Sequence, residues 1–576
     1  MADPSQTRYL SNQEIAELLR DVAVAYQIKG RNRFEAQAYD SAAAGVEHAT
    51  RSVRELAADR QLQEIPGVGA TIARYLDELV RSGKVAHFRE VMDGIPEAVF
   101  ELVKIPGVGP ATAQKLAAAG VEDLRDLEMK LASRSLLQNG FTEKALARIE
   151  AGLGELQRRS ARLLLPRAEQ VAGELLAHLR AHAAVLQAEA TGSLRRRVAT
   201  VGDLDLAVST REPAAVVQHF LAFPGAHSVV DAGEAAGTIR LQSGVNVDVL
   251  TGSPETWGAL LHHFTGSKQH NIHLRRLAQQ AGYSISERGV KVLASGETLP
   301  MPTEDAVYSL LGMQTPPPEI REDTGEIEAA RARRLPALVE AGAIRGDCHT
   351  HTAWSDGRDS LAQMAAACRA LGREYMAITD HSYPNLDFAR RSAELDALRR
   401  SEPGIRLIDG LEVNITSEGG LQVPDEVLAA HEYCIASIHS SFRQPRAVMT
   451  QRLLAALAHP SINGIAHPTG RLINAREGID ADWEAVMDAC LRHDKFLEID
   501  GSPERLDLPD NLVREAVRRG VKLVIDSDAH ATEQLTLLAY GVDVARRGWA
   551  TAANVLNTLP YEGFVREAHV RLRSRP

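Results

Sequence analysis

Seven short apolar segments in the C-terminal half of the chain each run into a histidine, an aspartate or a glutamate. They span residues 347–351, 376–381, 408–412, 435–439, 465–468, 496–500 and 524–530. Helical stretches separate the segments, so the pattern predicts consecutive β-α units. Strands that alternate with helices form a parallel barrel, and residues at the strand ends of such a barrel collect at one face. The polar residues are therefore expected to lie together.

Eight of these polar residues, and Asp356 shortly after the first segment, are candidate metal ligands. H-x-H and D-x-H place two side chains on one strand face, because residues two apart in a strand project in the same direction. A single histidine at a strand end is more often a core or solvated residue, but nine candidates at consecutive strand ends favour a metal centre. Mixed imidazole and carboxylate ligands suit Zn²⁺, Mn²⁺ or Fe²⁺. The candidates are His349, His351, Asp356, His381, Glu412, His439, His467, Asp528 and His530.

Other polar residues of these segments are expected to support the ligands. Asp380, Asp409, Glu498 and Asp526 are predicted to orient metal-binding side chains through hydrogen bonds. Cys348 points away from its histidine neighbours in an extended segment, so it is predicted to be a packing residue.

A second acidic cluster is predicted in the stretch from Thr191 to Val208. Asp203 and Asp205 alternate with apolar residues, so both carboxylates are expected on one face of a strand. A third acid, Asp248, lies in another alternating segment. Buried like charges repel one another unless cations lie between them, and Mg²⁺ or Mn²⁺ takes such oxygen ligands together with substrate phosphates.

The residues before these acids suit a phosphate. Gly192 and Ser193 form a small turn, and Arg195, Arg196 and Arg197 offer fork-shaped donors to phosphate oxygens. With the three acids, they describe a two-metal site for phosphoryl or nucleotidyl transfer. The alternative is a surface D-x-D motif with ordinary ion pairs. An isolated D-x-D motif is more often of this kind than part of a metal site.

An internal repeat lies nearer the N-terminus. The sequence Ile65-Pro66-Gly67-Val68-Gly69 recurs as Ile105-Pro106-Gly107-Val108-Gly109, and an Ala-rich helix is predicted after each copy. The copies resemble helix-hairpin-helix elements, whose backbone N–H groups hold a DNA phosphate without reading bases. A bare structural turn is the alternative. The residues predicted to bind DNA are Gly67, Gly69, Gly107 and Gly109.

Length and composition limit the possible classes of protein. A chain of 576 residues is expected to contain several domains. The net charge is −11, and neither half of the chain is a basic block. We therefore expect binding to DNA to be local and salt-sensitive. No apolar run is long enough for a membrane span, and the four cysteines form no C-x-x-C pair. We therefore expect a soluble, cytoplasmic protein with reduced thiols.

The G-S turn, the D-L-D motif and the later aspartate together resemble the nucleotidyltransferase superfamily. The segment Phe264-Thr265-Gly266-Ser267, followed by Asn271 and Arg275, resembles the nucleotide-binding segment of family X DNA polymerases, the family of eukaryotic DNA polymerase beta. The resemblance implies that the three acids hold two metal ions and that Asp248 helps to deprotonate the primer 3′-hydroxyl. It also implies that Gly192, Ser193 and Arg196 bind the triphosphate. Residues expected to contact the nucleotide or the nascent base pair are His263, Phe264, Gly266, Lys268, Asn271 and Arg275.

The chain departs from this family at several positions. Relatives that remove 5′-deoxyribose phosphate use a lysine after the first hairpin, but Tyr75 stands there, so lyase activity is not expected. His263 replaces a common tyrosine, Lys268 an aspartate and Asn246 an arginine. His262, His263, His270 and His273 lack the spacing of a closed zinc site, so they are interpreted as facing phosphate or nucleotide or as solvated.

The C-terminal half resembles the polymerase and histidinol phosphatase (PHP) family, whose fold is a distorted (β/α)₇ barrel with a trinuclear metal site. The resemblance implies phosphodiester hydrolysis at a DNA 3′ end, with the metal ions activating water and absorbing charge. It implies three ligand sets: His349, His351, Glu412 and Asp528; Glu412, His439 and His467; and Asp356, His381 and His530.

The order of these features predicts a multidomain α/β and α+β protein. The expected domains are a helical DNA-binding domain (1–90), a second helix-hairpin-helix domain (91–160), a palm with a mixed β-sheet (161–250), a nucleotide-binding subdomain (251–314), a linker (315–340) and a PHP barrel (341–576). The predicted function is template-directed gap filling in DNA repair of the base excision type. The expected substrates are dNTPs and gapped or primed DNA, and the barrel is expected to be a 3′-5′ exonuclease in a monomeric protein.

Two other functions stay open at this point. One is a small-molecule phosphatase of the histidinol-phosphate type with an inert nucleotidyltransferase domain. The other is a noncatalytic scaffold that binds DNA ends. The doubled hairpins disfavour the first function, and the complete sets of acids and histidines disfavour the second.

Overall fold

The structure is a computed structural model that describes residues 12–30, 33–47, 53–58, 60–65, 67–159, 162–383, 386–402 and 404–572. The first eleven residues of the predicted N-terminal domain, and Pro66 of the first hairpin, lie outside these ranges. The chain divides into two compact units, Met1–Ala161 with Ser243–Val245, and Arg162–Gln242 with Asn246–Pro576.

The first unit is helical over its described residues. Ile15, Leu19 and Val22 of its first helix are buried, and their spacing of three and four residues places them on one face of that helix. A glycine precedes the first residue of each helix that follows a repeat, so both repeats end at a helix N-terminus. The helices are α1 Asn12–Ile28, α2 Arg33–Glu47, α3 Val53–Ala58, α4 Ala70–Ser82, α5 Ala86–Met92, α6 Ala98–Leu102, α7 Pro110–Ala118, α8 Leu124–Ala132 and α9 Glu143–Arg159.

The second unit begins with a five-stranded mixed sheet in the order β2-β4-β7-β6-β5. Strands β4 and β7 are parallel, and their neighbours in the sheet pair antiparallel. The elements are β1 Leu163–Leu164, α10 Leu165–Arg180, β2 Val185–Ala190, α11 Gly192–Arg195, β3 Thr200–Val201, β4 Leu204–Thr210, α12 Pro213–Leu221, β5 Ala226–Ala232, β6 Ala236–Leu241 and β7 Asn246–Gly252. This sheet carries the predicted acids.

Two helices, a small antiparallel sheet and a third helix follow. Their core includes Leu274, Val290 and Tyr308, which are all buried. The elements are α13 Trp257–Thr265, α14 Lys268–Gln280, β8 Tyr283–Ser286, β9 Gly289–Val292, β10 Thr298–Leu299 and α15 Glu304–Leu310.

The segment 315–340, which composition predicted to be a linker, is packed against the protein. It contains the short helix α16, Glu326–Arg331. Arg321 and Glu326 are almost fully buried, and Ile327 is buried beside them. Arg321, Glu322 and Glu326 are paired with residues distant in sequence, so the composition resembles that of an exposed linker although the segment is folded.

The C-terminal half is a seven-stranded parallel sheet in the order β11 to β17. A parallel bridge between Thr350 and Ala529 links the ends of the first and last strands, so the sheet forms a nearly closed barrel. The strands are β11 Gly346–Asp347, β12 Tyr375–Ile378, β13 Arg406–Asn414, β14 Tyr433–Ser437, β15 Gly464–Ile465, β16 Phe496–Asp500 and β17 Lys522–Asp526. The helical first unit, the mixed sheet and this barrel confirm the predicted fold class.

Helices follow the barrel strands, and one core cluster lies among the strands. That cluster contains Cys348, Tyr433 and Phe496, together with Phe564 from the last helix. Cys348 is buried in packing contacts there. The helices are α17 Leu361–Ala370, α18 Phe388–Ser401, α19 Asp425–Ala429, α20 Arg446–Ala458, α21 Trp483–His493, α22 Asp510–Arg519, α23 Leu538–Arg547 and α24 Tyr561–Glu567. Among the described residues, none of the helices combines the length and the apolar character that a bilayer crossing needs.

Candidate functional sites

The first site is a cavity of about 630 Å³ beside the mixed sheet. All the residues predicted to bind the nucleotide or its metals line it, although they come from separate segments of the chain. They are Gly192, Ser193, Arg196, Asp203, Asp205, Asp248, His263, Phe264, Gly266, Lys268, Asn271 and Arg275.

Sheet register brings the acids together. Asp205 on β4 lies directly opposite Asp248 on the parallel strand β7. Burial, followed by the charges of Asp248 and Asp203, raises the pKa of Asp205 to about 6. The Thr238 side chain donates a hydrogen bond to Asp248 from the adjacent strand β6. Three acids around one cavity, one of them with a raised pKa, fit a site that a divalent cation completes.

Gly192 fits tightly against these acids. Its φ is +59°, and a Cβ at this position would lie 2.2 Å from Oδ2 of Asp205. The preceding residue, Thr191, donates its backbone N–H to the carbonyl of Asp205 at 2.7 Å. The turn is therefore held against strand β4, and only glycine leaves room for the carboxylate.

The three consecutive arginines have different partners. Arg195 forms a bidentate pair with Glu304, with N–O distances of 2.9 and 2.6 Å. Arg197 pairs with Glu169 and Asp543. Arg196 is the member of the three that lines the cavity. The expectation that all three arginines offer donors to phosphate is therefore wrong for Arg195 and Arg197, which do not line the cavity and are paired with acids elsewhere.

The segment after α13 contributes the other wall of the cavity. The Asn271 side chain donates to the carbonyl of His263 at 2.7 Å. Arg275 lies 2.9 Å from Nδ1 of the same histidine. Burial, followed by the charge of Arg275, lowers the pKa of His263. The imidazole is therefore neutral at physiological pH.

The other three histidines of this segment have structural partners. His262 and His270 are fully buried, and a ring nitrogen of each lies within 3.1 Å of the Tyr308 hydroxyl. His273 contacts Asp323 at 2.7 Å. The interpretation that these three face phosphate or are solvated is wrong, because the core between α13, α14 and α15 holds the first two and an ion pair holds the third. No closed metal site forms from them within the described residues.

The two helix-hairpin-helix repeats have the same backbone conformation. Gly67 and Gly107 both have a φ of +80°. Gly69 and Gly109 both occupy the N-cap position, at φ values of −80° and −82°. A Cβ at either N-cap glycine would meet nothing within 4 Å, so this backbone is open to a ligand.

Helix α4 after the first hairpin contains no lysine. Tyr75, at the position where relatives with lyase activity have a lysine, stacks on His87 with ring centroids 4.8 Å apart. This aromatic pair is a packing arrangement and offers no amine for an imine.

The second site lies at the strand ends of the barrel, where the nine candidate ligands meet. Their nitrogen and oxygen atoms form overlapping groups within 4.8 Å of one another. The groups are His351, Asp356, His381 and His530; His349, His351 and Glu412; His349, His467 and Asp528; and His381, Glu412 and His439. His467 thus falls in a group with His349 and Asp528, and it also contacts Glu412 at 2.8 Å.

Glu412 lies at the centre of this cluster. Oε1 is 3.2 Å from His439, and Oε2 is 2.8 Å from His381. His349 and His351 each lie 3.5 Å from Oε2. This one carboxylate reaches ligands of every predicted set, as a bridging ligand must.

The donor atoms have separations that fit a metal ion. Nε2 of His349 and Nε2 of His351 are 3.1 Å apart, and they lie 3.4 and 3.2 Å from Oδ1 of Asp528. A tetrahedral ion with bonds of about 2.0–2.2 Å separates its ligand atoms by roughly 3.3–3.6 Å. Nδ1 of both His351 and His467 is buried without a hydrogen-bond partner. The donor set therefore fits bound cations.

Of the four residues predicted to orient the ligands, Glu498 contacts a ligand side chain directly, whereas Asp380, Asp409 and Asp526 contact Arg391 or the backbone. Glu498 contacts Nδ1 of His349 at 2.6 Å, and with Asp528 and Glu412 it raises the pKa of this buried histidine despite the opposing effect of burial. Asp380 and Asp409 bind the buried Arg391, each at 2.8 Å. Asp526 accepts the backbone N–H of residue 348 at 2.7 Å.

Some residues around the two sites could not be found from the sequence. Arg505 lies 3.8 Å from Asp528, and the buried Arg391 connects two acids behind the barrel ligands. Thr238 contacts Asp248 in the first site. The sequence contained no signal for these residues, because a lone threonine or arginine follows no motif and its partners are distant in sequence.

Four known families match separate parts of the chain. They are a helix-hairpin-helix domain (10–85), a SAM-like helix-hairpin-helix tandem (99–155), the DNA polymerase beta thumb (260–322) and the PHP domain (347–501).

Curated proteins also match. DNA polymerase/3′-5′ exonuclease PolX of Bacillus subtilis (strain 168) is 36% identical over 561 residues, which cover 95% of this chain and 97% of that protein. DNA polymerase lambda of Rattus norvegicus is 28% identical over 360 residues, 56% of this chain and 58% of that protein. A probable phosphatase of Acetivibrio thermocellus is 30% identical over 198 residues, 32% of this chain and 78% of that protein.

Proposed function

Because the chain belongs to the family X DNA polymerases that carry a C-terminal PHP domain, we propose that its two sites divide two activities between them. The protein is a DNA-directed DNA polymerase and a 3′-5′ exonuclease, and it fills short gaps during DNA repair. The cavity beside the mixed sheet adds nucleotides, and the barrel removes them from a 3′ end.

The polymerase site is assigned to Asp203, Asp205 and Asp248, which hold Mg²⁺ or Mn²⁺. When bound, these ions offset the charge of the triphosphate and of the attacking oxygen. Arg196, with the backbone of Gly192 and Ser193, binds the triphosphate of a dNTP. Asn271 and Arg275, which both contact His263, line the nascent base pair.

The exonuclease site is assigned to the nine residues of the barrel cluster, with up to three Zn²⁺, Mn²⁺ or Fe²⁺ ions. When bound, such ions activate water and stabilise the leaving oxygen. The chain's own contribution is to fix the ligands: Glu412 contacts several of them, and Glu498 holds His349. The two hairpins hold the backbone of gapped or primed DNA.

The remaining domain boundaries follow from this assignment. Residues 1–90 and 91–160 form the DNA-gripping domains, 161–250 the palm, 251–314 the nucleotide-binding subdomain, 315–340 the connection and 341–576 the nuclease. We place the enzyme in the bacterial cytoplasm as a monomer. The burial of its four cysteines as free thiols supports a reducing compartment.

The observation that carries this proposal is the opposition of Asp205 and Asp248 on parallel strands, with the predicted nucleotide-binding residues around one cavity. The test is extension of a 5′-labelled primer across a one-nucleotide gap by Asp205→Ala. We expect the extension rate to fall by at least about 1,000-fold, because the metal ions lose a shared ligand. Persistent extension would exclude this site.

The similarity of the barrel to a probable phosphatase leaves a second substrate class to test. Hydrolysis of a 3′-recessed duplex is compared with hydrolysis of a small phosphomonoester under the same metal conditions. We expect cleavage of the duplex to be faster by orders of magnitude. Preference for the phosphomonoester would assign the barrel to small-molecule chemistry.

A further inference from the structure

The triphosphate-binding arginine of the polymerase site is held by a side chain of the nuclease barrel. Nε of Arg196 donates to Oε1 of Glu322 at 3.0 Å. The same Oε1 accepts from Arg547, on the barrel helix α23, at 3.0 Å. Arg547 also donates to the backbone carbonyl of Arg196 at 2.7 Å. Arg547 of the barrel therefore contacts both Glu322, the partner of the Arg196 side chain, and the backbone of Arg196.

The network is buried and anchored at its far end. Side-chain exposure is 15% for Arg196, 14% for Glu322 and 9% for Arg547. Arg547 donates its Nε to Asp510, on the neighbouring barrel helix α22, at 2.7 Å. Burial opposes the ionisation of Glu322, but the Arg547 and Arg196 guanidiniums outweigh it and lower the pKa of this carboxyl. Glu322 is therefore a carboxylate at neutral pH.

These contacts fix the direction in which Arg196 points. Its Nε is used by Glu322, and one terminal nitrogen donates to the carbonyl of Thr265 at 2.7 Å. A free arginine side chain loses rotamer entropy when a ligand immobilises it. An arginine that the protein already holds avoids much of this loss on binding a phosphate.

We propose that Arg547, acting through Glu322, is a positioning residue for Arg196, so that the affinity of the polymerase for the incoming dNTP depends on a side chain of the exonuclease barrel. This inference rests on the proposed function, in which Arg196 binds the triphosphate. The packed segment 315–340 supplies Glu322 and is the element through which the barrel acts.

The adjacent residue on α23 provides a matched control. Arg546 also connects the barrel to the packed segment, since it donates to Glu319 at 2.8 Å and to the carbonyl of Val339 at 3.0 Å. None of its hydrogen bonds given by the structure reaches Arg196. Loss of Arg546 thus weakens the same contact between domains but leaves the Arg196–Glu322–Arg547 network intact.

The experiment measures single-nucleotide gap filling by the full-length protein, with KM for the matched dNTP and kcat determined separately. Arg547→Ala is expected to raise KM about tenfold and to change kcat by less than about threefold, because ground-state positioning is lost. Exonuclease activity and gapped-DNA affinity are expected to stay within about twofold of wild type. Arg546→Ala is expected to leave KM within about twofold.

Two further variants keep the proposal testable if Arg547→Ala unfolds. Glu322→Gln keeps the size of the side chain and is expected to raise KM in the same direction. In the double variant Arg196→Ala/Arg547→Ala, the second change is expected to add little, because both act through one group.

The outcomes separate the two claims. An unchanged KM in Arg196→Ala would overturn the triphosphate assignment made under the proposed function. A raised KM in Arg196→Ala with an unchanged KM in Glu322→Gln and Arg547→Ala would overturn the positioning role alone. An equal rise in Arg546→Ala, or additive effects in the double variant, would also overturn it, because a general loosening of the domain contact would then explain the data.

Discussion

Asp205 lies opposite Asp248 on parallel strands, whereas Asp203 precedes strand β4, which begins at Leu204. The spacing of Asp203 and Asp205 had predicted both carboxylates on one strand face, and Gly192 was predicted to bring the backbone close to a phosphate. A Cβ at Gly192 would lie 2.2 Å from the Asp205 carboxylate, which explains why this position requires glycine. The ion pairs of Arg195 and Arg197 were not predictable, because their acids lie far away in the sequence.

The substitution Gly192→Ala tests this close approach. The added methyl group displaces the Asp205 carboxylate, and a misplacement of about 1 Å reduces catalysis roughly 100-fold. We expect primer extension to fall by at least that factor, measured as kcat/KM. Exonuclease activity on the same DNA should stay within about twofold.

Gly173 provides the control for this variant. It lies in α10, where a Cβ would meet nothing within 4 Å. Gly173→Ala is therefore expected to leave extension unchanged. Normal extension by Gly192→Ala would show that the turn and the acid are not held as described.

At the scale of elements, the local patterns identified the strands and hairpins correctly, but register and packing required the structure. Alternating apolar residues predicted strands that carry Asp205 and Asp248, but not that the two lie opposite each other. The segment 315–340 was predicted to be a linker from its composition. Arg321 and Glu326 are in fact buried, at 1% and 0% exposure, through contacts that composition cannot indicate.

The repeated hairpins give a prediction at this scale. Gly107 in the second hairpin and Gly120 after α7 have φ values of +80° and +81°, and neither position is crowded. Alanine at either position therefore costs a similar conformational strain, about 1 kcal/mol. We expect Gly107→Ala alone to weaken binding of gapped DNA by about five- to tenfold and to reduce the salt dependence, because a phosphate contact is lost.

Fluorescence anisotropy at several salt concentrations measures this difference. Equal losses of affinity in the Gly107 and Gly120 variants would indicate general destabilisation. Unchanged affinity in both would remove the second hairpin from the DNA-binding surface.

At the scale of the whole molecule, the chain combines two acidic centres of different chemistry. One consists of carboxylates on a mixed sheet, and the other of imidazoles and carboxylates at the ends of barrel strands. The order of motifs predicted this arrangement. The contacts of Arg197 with Asp543, and of Arg547 with Glu322, join the halves across hundreds of residues and were visible only in three dimensions.

The central claim is that these two centres act as separate enzymes on one DNA substrate. The most direct measurement follows the length of a 5′-labelled primer in a gapped duplex, with and without dNTPs, for wild type, Asp205→Ala and His349→Ala. We predict that wild type lengthens the primer with dNTPs and shortens it without them, that Asp205→Ala only shortens it and that His349→Ala only lengthens it. Equal loss of both reactions in either variant would contradict two independent sites.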